Sequence, residues 1–209
     1  MAETRGKSSV ELSPAKRRQI VVGARQAFVE LGYERASVAL IAGRAGVSKA
    51  TLYNHFFDKA ALFVACLEEE SAAVRGEVDA LLEARSGDLE RDLHVIGEKI
   101  LRFSISPTMM ALRRVIVAEA PRFPEIGQRL YEMYTRHLDE TLGASFKVWS
   151  DQGKLRVDAP MLAAEQFVEL CKGSTFHRVE LGVAKEVSDE EVRTAIAGAL
   201  RTFLRAYHS

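Results

Sequence analysis

Only two cysteines occur in the 209-residue chain, Cys66 and Cys171, and neither belongs to a CxxC pair. A disulfide framework is thereby excluded, and each thiol reads as a small apolar residue within a helical pattern. No run approaches the ~18 uninterrupted apolar residues of a membrane span. The opening residues, MAETRGKSSVELSPAKRR, lack the apolar stretch of a secretory signal, so a cytoplasmic protein without membrane contact is expected. HExxH, GxSxG, P-loop and dinucleotide-binding glycine patterns are all missing. Glu68-Glu69-Glu70 reads as solvated helix surface, and Ser188-Asp189-Glu190-Glu191 as a helix start. No enzyme, cofactor or metal is expected. Alternating strand patterns and internal repeats are absent too.

Net charge is also missing, because 29 Lys and Arg balance 29 Asp and Glu. The distribution is uneven, however. Residues 1–60 hold ten Lys and Arg against five Asp and Glu, a net charge of +5, and the remainder carries the compensating −5. A basic head on an acidic body suits phosphate attraction at one end only.

What is present is helix after helix. Residues 1–12 are polar and aperiodic, and read as a flexible arm with two basic residues, Arg5 and Lys7. Ser13-Pro14 supplies an N-cap and a proline at the first helical position. Ile20, Val21, Ala24, Ala27, Phe28 and Leu31 then follow at helical spacing as far as Gly32. Short helices are predicted near residues 38–45 and 49–56, and Asp58 opens a longer one reaching Ala84. Asp88 caps the next, which ends before Ser106-Pro107, and another spans Thr108 to Ala120. Beyond the Pro121-Arg122-Phe123-Pro124 turn, one long helix is predicted from Pro124 to Ser150, then one from Pro160 to Leu181. Ser188 and Glu191 form a capping box before a clean amphipathic stripe from Val192 to Tyr207. The expectation is an all-α chain of about nine helices: a three-helix head over residues 13–60 and a helical body over 61–209.

Residues 37–57, SVALIAGRAGVSKATLYNHFF, carry the functional argument. Ser37 caps a helix whose inner face is Val38, Ile41, Ala42 and Ala45. Gly46 stands where a tight turn needs positive φ. Val47 plugs the junction, Ser48 caps a second helix, and Leu52 and Phe56 point inward at i, i+4. Small Ala42 permits a close crossing. Two short helices joined by a glycine turn are the arithmetic of a helix-turn-helix. The other face of the second helix presents Lys49, Ala50, Thr51, Tyr53, Asn54 and His55, short or polar groups suited to base edges and phosphates. The same pattern also fits a small solvated helix in a bundle.

The stretch VALIAGRAGVSKATLYNHFFDKAALF resembles the DNA-binding head of the tetracycline repressor (TetR) family, over about residues 16–66. Leu52-Tyr53 followed by Phe56 and Lys59 carries the likeness. It implies a homodimer with two heads on a palindromic double-stranded DNA operator, and a body that binds a small apolar or amphipathic effector. By that resemblance Lys49, Ala50, Thr51 and Asn54 lie nearest the bases. Ser37, Tyr53, His55 and Lys59 meet phosphates, and Arg44 reaches a base or phosphate. Ala39 and Gly43 depart from the family's usual larger or polar side chains. The body stretches VIVAEAPRFPEIGQRLYE and FVELCKGSTFHRVELG are similar to multidrug-efflux repressors.

Methionines and aromatics on the middle helices make adaptable walls for an effector pocket: Phe103, Met109, Met110, Ile116 and Tyr131. Tyr134, Trp149 and Phe167 join them, with His137 and His177 as polar contacts; all ten equally suit a packed core. The family pairs its last two helices in a four-helix bundle. Phe176, Val179, Ile196, Ala199, Leu200, Phe203 and Leu204 are the residues expected there, unless they fill the core of a single chain. The rival to a DNA-binding regulator is a helical interaction module of the same fold that binds no DNA.

Overall fold

A computed structural model describes residues 13–84 and 86–208, apart from the side chains of Ala73, Ile126, Leu130, Met133 and Tyr134. The arm expected over residues 1–12 lies outside the described residues. Ten α-helices and one π-helical segment occur among the described residues, which contain no strand; an isolated bridge pairs Leu155 with His208. The helices are α1 (Pro14–Arg35), α2 (Val38–Arg44), α3 (Lys49–His55), α4 (Lys59–Ala84), α5 (Leu89–Ser104) and α6 (Pro107–Glu119). They continue as α7 (Pro124–Leu130), α8 (His137–Asp151), α9 (Pro160–Glu180) and α10 (Asp189–Tyr207). No described helix is long and apolar enough to cross a membrane.

Most helix starts follow the capping chemistry read from the sequence. Asp58 Oδ1 accepts from Ala61 N at 2.7 Å, and Asp88 Oδ1 from Arg91 N at 3.1 Å. Ser188 accepts from Glu191 N while the Glu191 carboxylate accepts from Ser188 N, a complete capping box. Ser13 is an exception: Pro14 takes the first helical position, but the Ser13 side chain makes no cap bond. α1 breaks at Gly32 (φ 76°, ψ 170°), where the sequence placed its end, before one further turn to Arg35. The helix predicted from Pro124 to Ser150 is a single helical run that widens to π-helix over Tyr131–Arg136. The α-helices flanking that segment are counted as two, which raises nine to ten. α9 carries an unforeseen break at Gly173 (φ 43°, ψ −149°).

The chain divides into two compact units, one ending at Cys66 and the other beginning at Leu67, with α4 belonging to both. In the first, Ile20, Ala24, Ala27, Phe28, Ile41, Leu52, Leu62 and Phe63 are fully buried. Phe63 meets Phe28 edge-on at 4.9 Å and Tyr33 at 5.5 Å. In the second, α9 packs against α5, α8 and α10 around one apolar core. Both cysteines are buried thiols, and Cys66 Sγ donates to the Val21 carbonyl at 3.5 Å. Burial pushes the Cys171 thiol up to about 12, so it stays protonated and acts as an apolar filler.

Candidate nucleic-acid interface

The turn between α2 and α3 is closed by backbone hydrogen bonds. Gly46 adopts φ 61°; its N–H donates to the Gly43 carbonyl at 3.1 Å, and Val47 N donates to the Ala42 carbonyl at 3.0 Å. These are the paired bonds of a Schellman ending, which only a residue at ease with positive φ closes without strain. Ser37 Oγ accepts from Leu40 N at 3.2 Å to start α2, and Ser48 Oγ accepts from Thr51 N at 3.0 Å to start α3. Leu52 and Phe56 are buried, as the i, i+4 pairing requires.

This anchoring leaves one side of α3 bare. Lys49, Ala50, Tyr53 and Asn54 are exposed. Their spacing places them on a single helical stripe opposite Leu52 and Phe56. Tyr53 is 52% exposed, high for a large ring that has the head core beside it. Thr51 and His55 sit half-buried at the edges, and the Thr51 hydroxyl shares a 2.8 Å hydrogen bond with Ser48 Oγ. The stripe therefore offers an ammonium, a methyl, a phenol and an amide on a rigid support. Groups of these kinds are suited to base edges and phosphates.

Two residues assigned by resemblance to DNA contacts are engaged within the head. Arg44 Nη2 forms a 2.7 Å ion pair with Glu30 on α1, at the surface of the head. Lys59 Nζ donates to the carbonyls of Tyr33 at 2.8 Å and Glu34 at 3.4 Å, with the Tyr33 ring 4.2 Å away. It ties the end of α1 to the start of α4. Carbonyls at a helix end lack intrahelical donors and favour a cation, which accounts for this placement.

Sequence reasoning passed over three supports of α3. Gln19 Nε2 donates to the Ala45 carbonyl at 2.6 Å, and the Arg17 guanidinium lies 5.2 Å from the centre of the Phe56 ring. Gly23 lets α1 approach the end of α2, since a Cβ there would sit 3.0 Å from Ala45 N. Gly23 was legible in principle, because it falls on the Ile20–Ala27 stripe where a missing side chain signals close approach.

In the second unit, several expected pocket residues are core. Trp149 and Phe167 are at most 1% exposed. Phe167 meets Phe146 at 5.8 Å and Phe203 at 5.2 Å, and Trp149 stacks on Phe146 at 5.9 Å. Phe103, Met109, Met110 and Ile116 are buried, and Met110 packs with Phe176 and Val179. Tyr131 is exposed, His137 is half-buried, and the side chain of Tyr134 lies outside the described residues. His177 is exposed on the surface, 3.4 Å from Glu180, rather than in a cavity. An Arg113 hydrogen bond of 2.7 Å holds the Glu180 carboxyl below its usual range. Glu119, missed by the sequence reading, is buried, and its Oε2 has no hydrogen-bond partner; Arg122 Nη1 lies 4.0 Å from it. Among the described residues no cluster of His, Cys, Asp or Glu is placed to hold a metal ion.

The residues expected to pair with a second copy also lie inward. Phe176, Val179, Ile196, Ala199, Leu200 and Phe203 are buried within their own chain, and half-buried Leu204 packs on that core. Their helices turn a different face outward. Leu162, Gln166, Leu170, Thr202 and Ala206 are exposed, and a shallow groove runs between α9 and α10 past Leu170, Gly173, Thr202 and Ala206.

Residues 20–66 match the sequence model of bacterial regulatory proteins of the tetR family, and residues 91–209 match that of the AefR-like transcriptional repressor C-terminal domain. The transcriptional repressor AcnR of Corynebacterium glutamicum is 27% identical over 187 residues, covering 88% of this chain and 92% of its own. A TetR-family transcriptional regulator from Mesorhizobium loti superposes with a TM-score of 0.87 at 25% identity, over 99% of this chain and 100% of its own. The flavonoid-responsive regulator FrrA superposes at 0.76 with 29% identity, over 94% and 98%.

Proposed function

The chain belongs to the TetR family of DNA-binding transcriptional regulators, and from that premise we propose that it is a repressor acting as a homodimer on a palindromic operator. The exposed stripe Lys49, Ala50, Tyr53 and Asn54, on a helix capped by Ser48 and closed at Phe56, is the observation that carries the reading. Each chain supplies one α3 to a half-site, and the recognition helices of the pair stand one helical turn apart, about 34–36 Å. AcnR is a named repressor, which supports the direction of control.

The outward face of α9 and α10 supplies the dimer contact. Its small residues, Gly173, Thr202 and Ala206, let a second copy approach closely while Leu162 and Leu170 bury apolar area in a self-complementary patch. Leu170→Asp tests this by sedimentation. Monomers with a folded head and weak operator binding are expected; a surviving dimer would move the interface elsewhere.

The effector enters the second unit and releases the operator by binding one conformer more tightly than the other. Met109, Ile116 and Glu119 share one stripe of α6, and a buried carboxylate oxygen without a donor is costly to leave unmet. An amphipathic effector, apolar in body and carrying an N–H or O–H donor, matches that stripe.

A further inference from the structure

Phe57 is 90% exposed, the most exposed of the large apolar side chains among the described residues. Phe56, its neighbour, is only 5% exposed. The contrast is set by the backbone on either side. Phe56 N donates to the Leu52 carbonyl at 2.9 Å, closing α3, and Asp58 Oδ1 accepts from Ala61 N at 2.7 Å, opening α4. Phe57 is thus fixed between a helix end and a helix cap, with its ring held out in water. A single exposed phenylalanine is ordinary on a protein surface. One clamped two residues beyond the recognition helix is in a different position.

α3 has seven residues, so at about 1.5 Å per residue it is about 10 Å long, against a major groove about 12 Å wide. With Lys49 to Asn54 over the bases, the chain reaches the groove wall as it leaves α3, and Phe57 emerges beside the sugar–phosphate backbone. We propose that Phe57 is a DNA-contacting residue whose ring packs on deoxyribose carbons at the edge of each half-site. The contact is apolar, and it adds area next to the polar stripe without adding charge. It rests on the reading that α3 enters the major groove.

The test compares full-length wild type, Phe57→Ala and Phe57→Leu on a selected operator by fluorescence anisotropy between 50 and 200 mM salt, with thermal melting alongside. Partial burial of the ring is expected to make Phe57→Ala bind about 5- to 10-fold more weakly and Phe57→Leu about 2- to 3-fold. The slope of log Kd against log salt should not change, because no ionic contact is lost, and the melting temperature should hold. Wild-type affinity in Phe57→Ala would overturn the proposal, as would a lower melting point that accounts for the loss. Reduced self-association with unchanged DNA affinity would overturn it too, making Phe57 a protein contact. Wild type that binds no DNA would bring down the groove reading itself, an outcome distinct from the other three.

Discussion

Gly23 sets how closely α1 approaches the end of α2, and replacing it with alanine puts the head geometry to a numerical test. The new Cβ would lie 3.0 Å from Ala45 N and 3.2 Å from Ala45 Cα and Cβ. Relaxed carbon contacts need about 3.5–4.0 Å, so the turn must retreat by roughly half an ångström. Ala45 has little room for that: its N–H donates to Ile41 at 2.9 Å, its carbonyl accepts from Gln19 at 2.6 Å, and it is buried. Overpacking of this kind costs about 1–3 kcal/mol, and alanine returns about 0.5–1 kcal/mol in helix propensity. A net loss of about 1–2 kcal/mol is expected. Amide hydrogen exchange over α1–α3 separates it from the stability of the second unit. Operator affinity should fall about tenfold, the equivalent of one lost specific contact. Gly43→Ala is the control: its Cβ meets nothing within 4 Å, so stability should rise by about 0.5–1 kcal/mol with affinity unchanged. A Gly23→Ala head as stable as wild type, binding its operator equally well, would refute the packing argument.

Three further outcomes follow from the same contacts. Ser48→Ala removes the cap of a seven-residue helix and should cost about 1 kcal/mol, read as faster exchange at the Thr51 amide, while Ser48→Thr keeps most of the protection. Lys59→Met should destabilise the α1–α4 junction by about 1–3 kcal/mol while leaving the salt slope of operator binding intact; a slope lower by about one would return Lys59 to the phosphate contacts. Asp139 has its carboxyl raised from 3.8 to about 6, by burial first and then by Glu165, with Lys172 opposing and Glu169 adding. Folding therefore favours the protonated acid, and that stabilisation is complete below the unfolded value and lost as pH rises through about 6. Asp139→Asn should accordingly match wild type near pH 4 and exceed it near pH 8 by about 1–2 kcal/mol in denaturant titrations; equal stability at both would show that the carboxyl is well solvated.

The head was the most legible part of the molecule because its signals are local. Ser37, Gly46 and Ser48 act on backbone within three to five residues of themselves, so their order in the chain is already their geometry. The intrachain contacts of Arg44 and Lys59 were not legible because their partners, Glu30 and the Tyr33 carbonyl, are 14 and 26 residues away and arrive only when α1 folds back. The body is less legible for a different reason. Phe167, Phe203 and Trp149 have the composition of a pocket wall or an interface, and composition does not say which face of a helix its neighbours cover. α9 meets helices on several sides, leaving outside the very residues, Leu170 and Thr202 among them, that the apolar stripe did not single out. The π-helical segment at Tyr131–Arg136 left no trace in the apolar period.

Whether α3 reads a two-fold operator can be seen by selecting binding sites from a random-sequence DNA pool with the purified full-length protein. The account expects a pseudo-palindrome with half-sites one helical turn apart, about 34–36 Å. Repeating the selection with Thr51→Ala should change the base preferred within each half-site. No enrichment at low salt from folded, dimeric protein would contradict the account and favour an interaction module that keeps the fold without reading DNA.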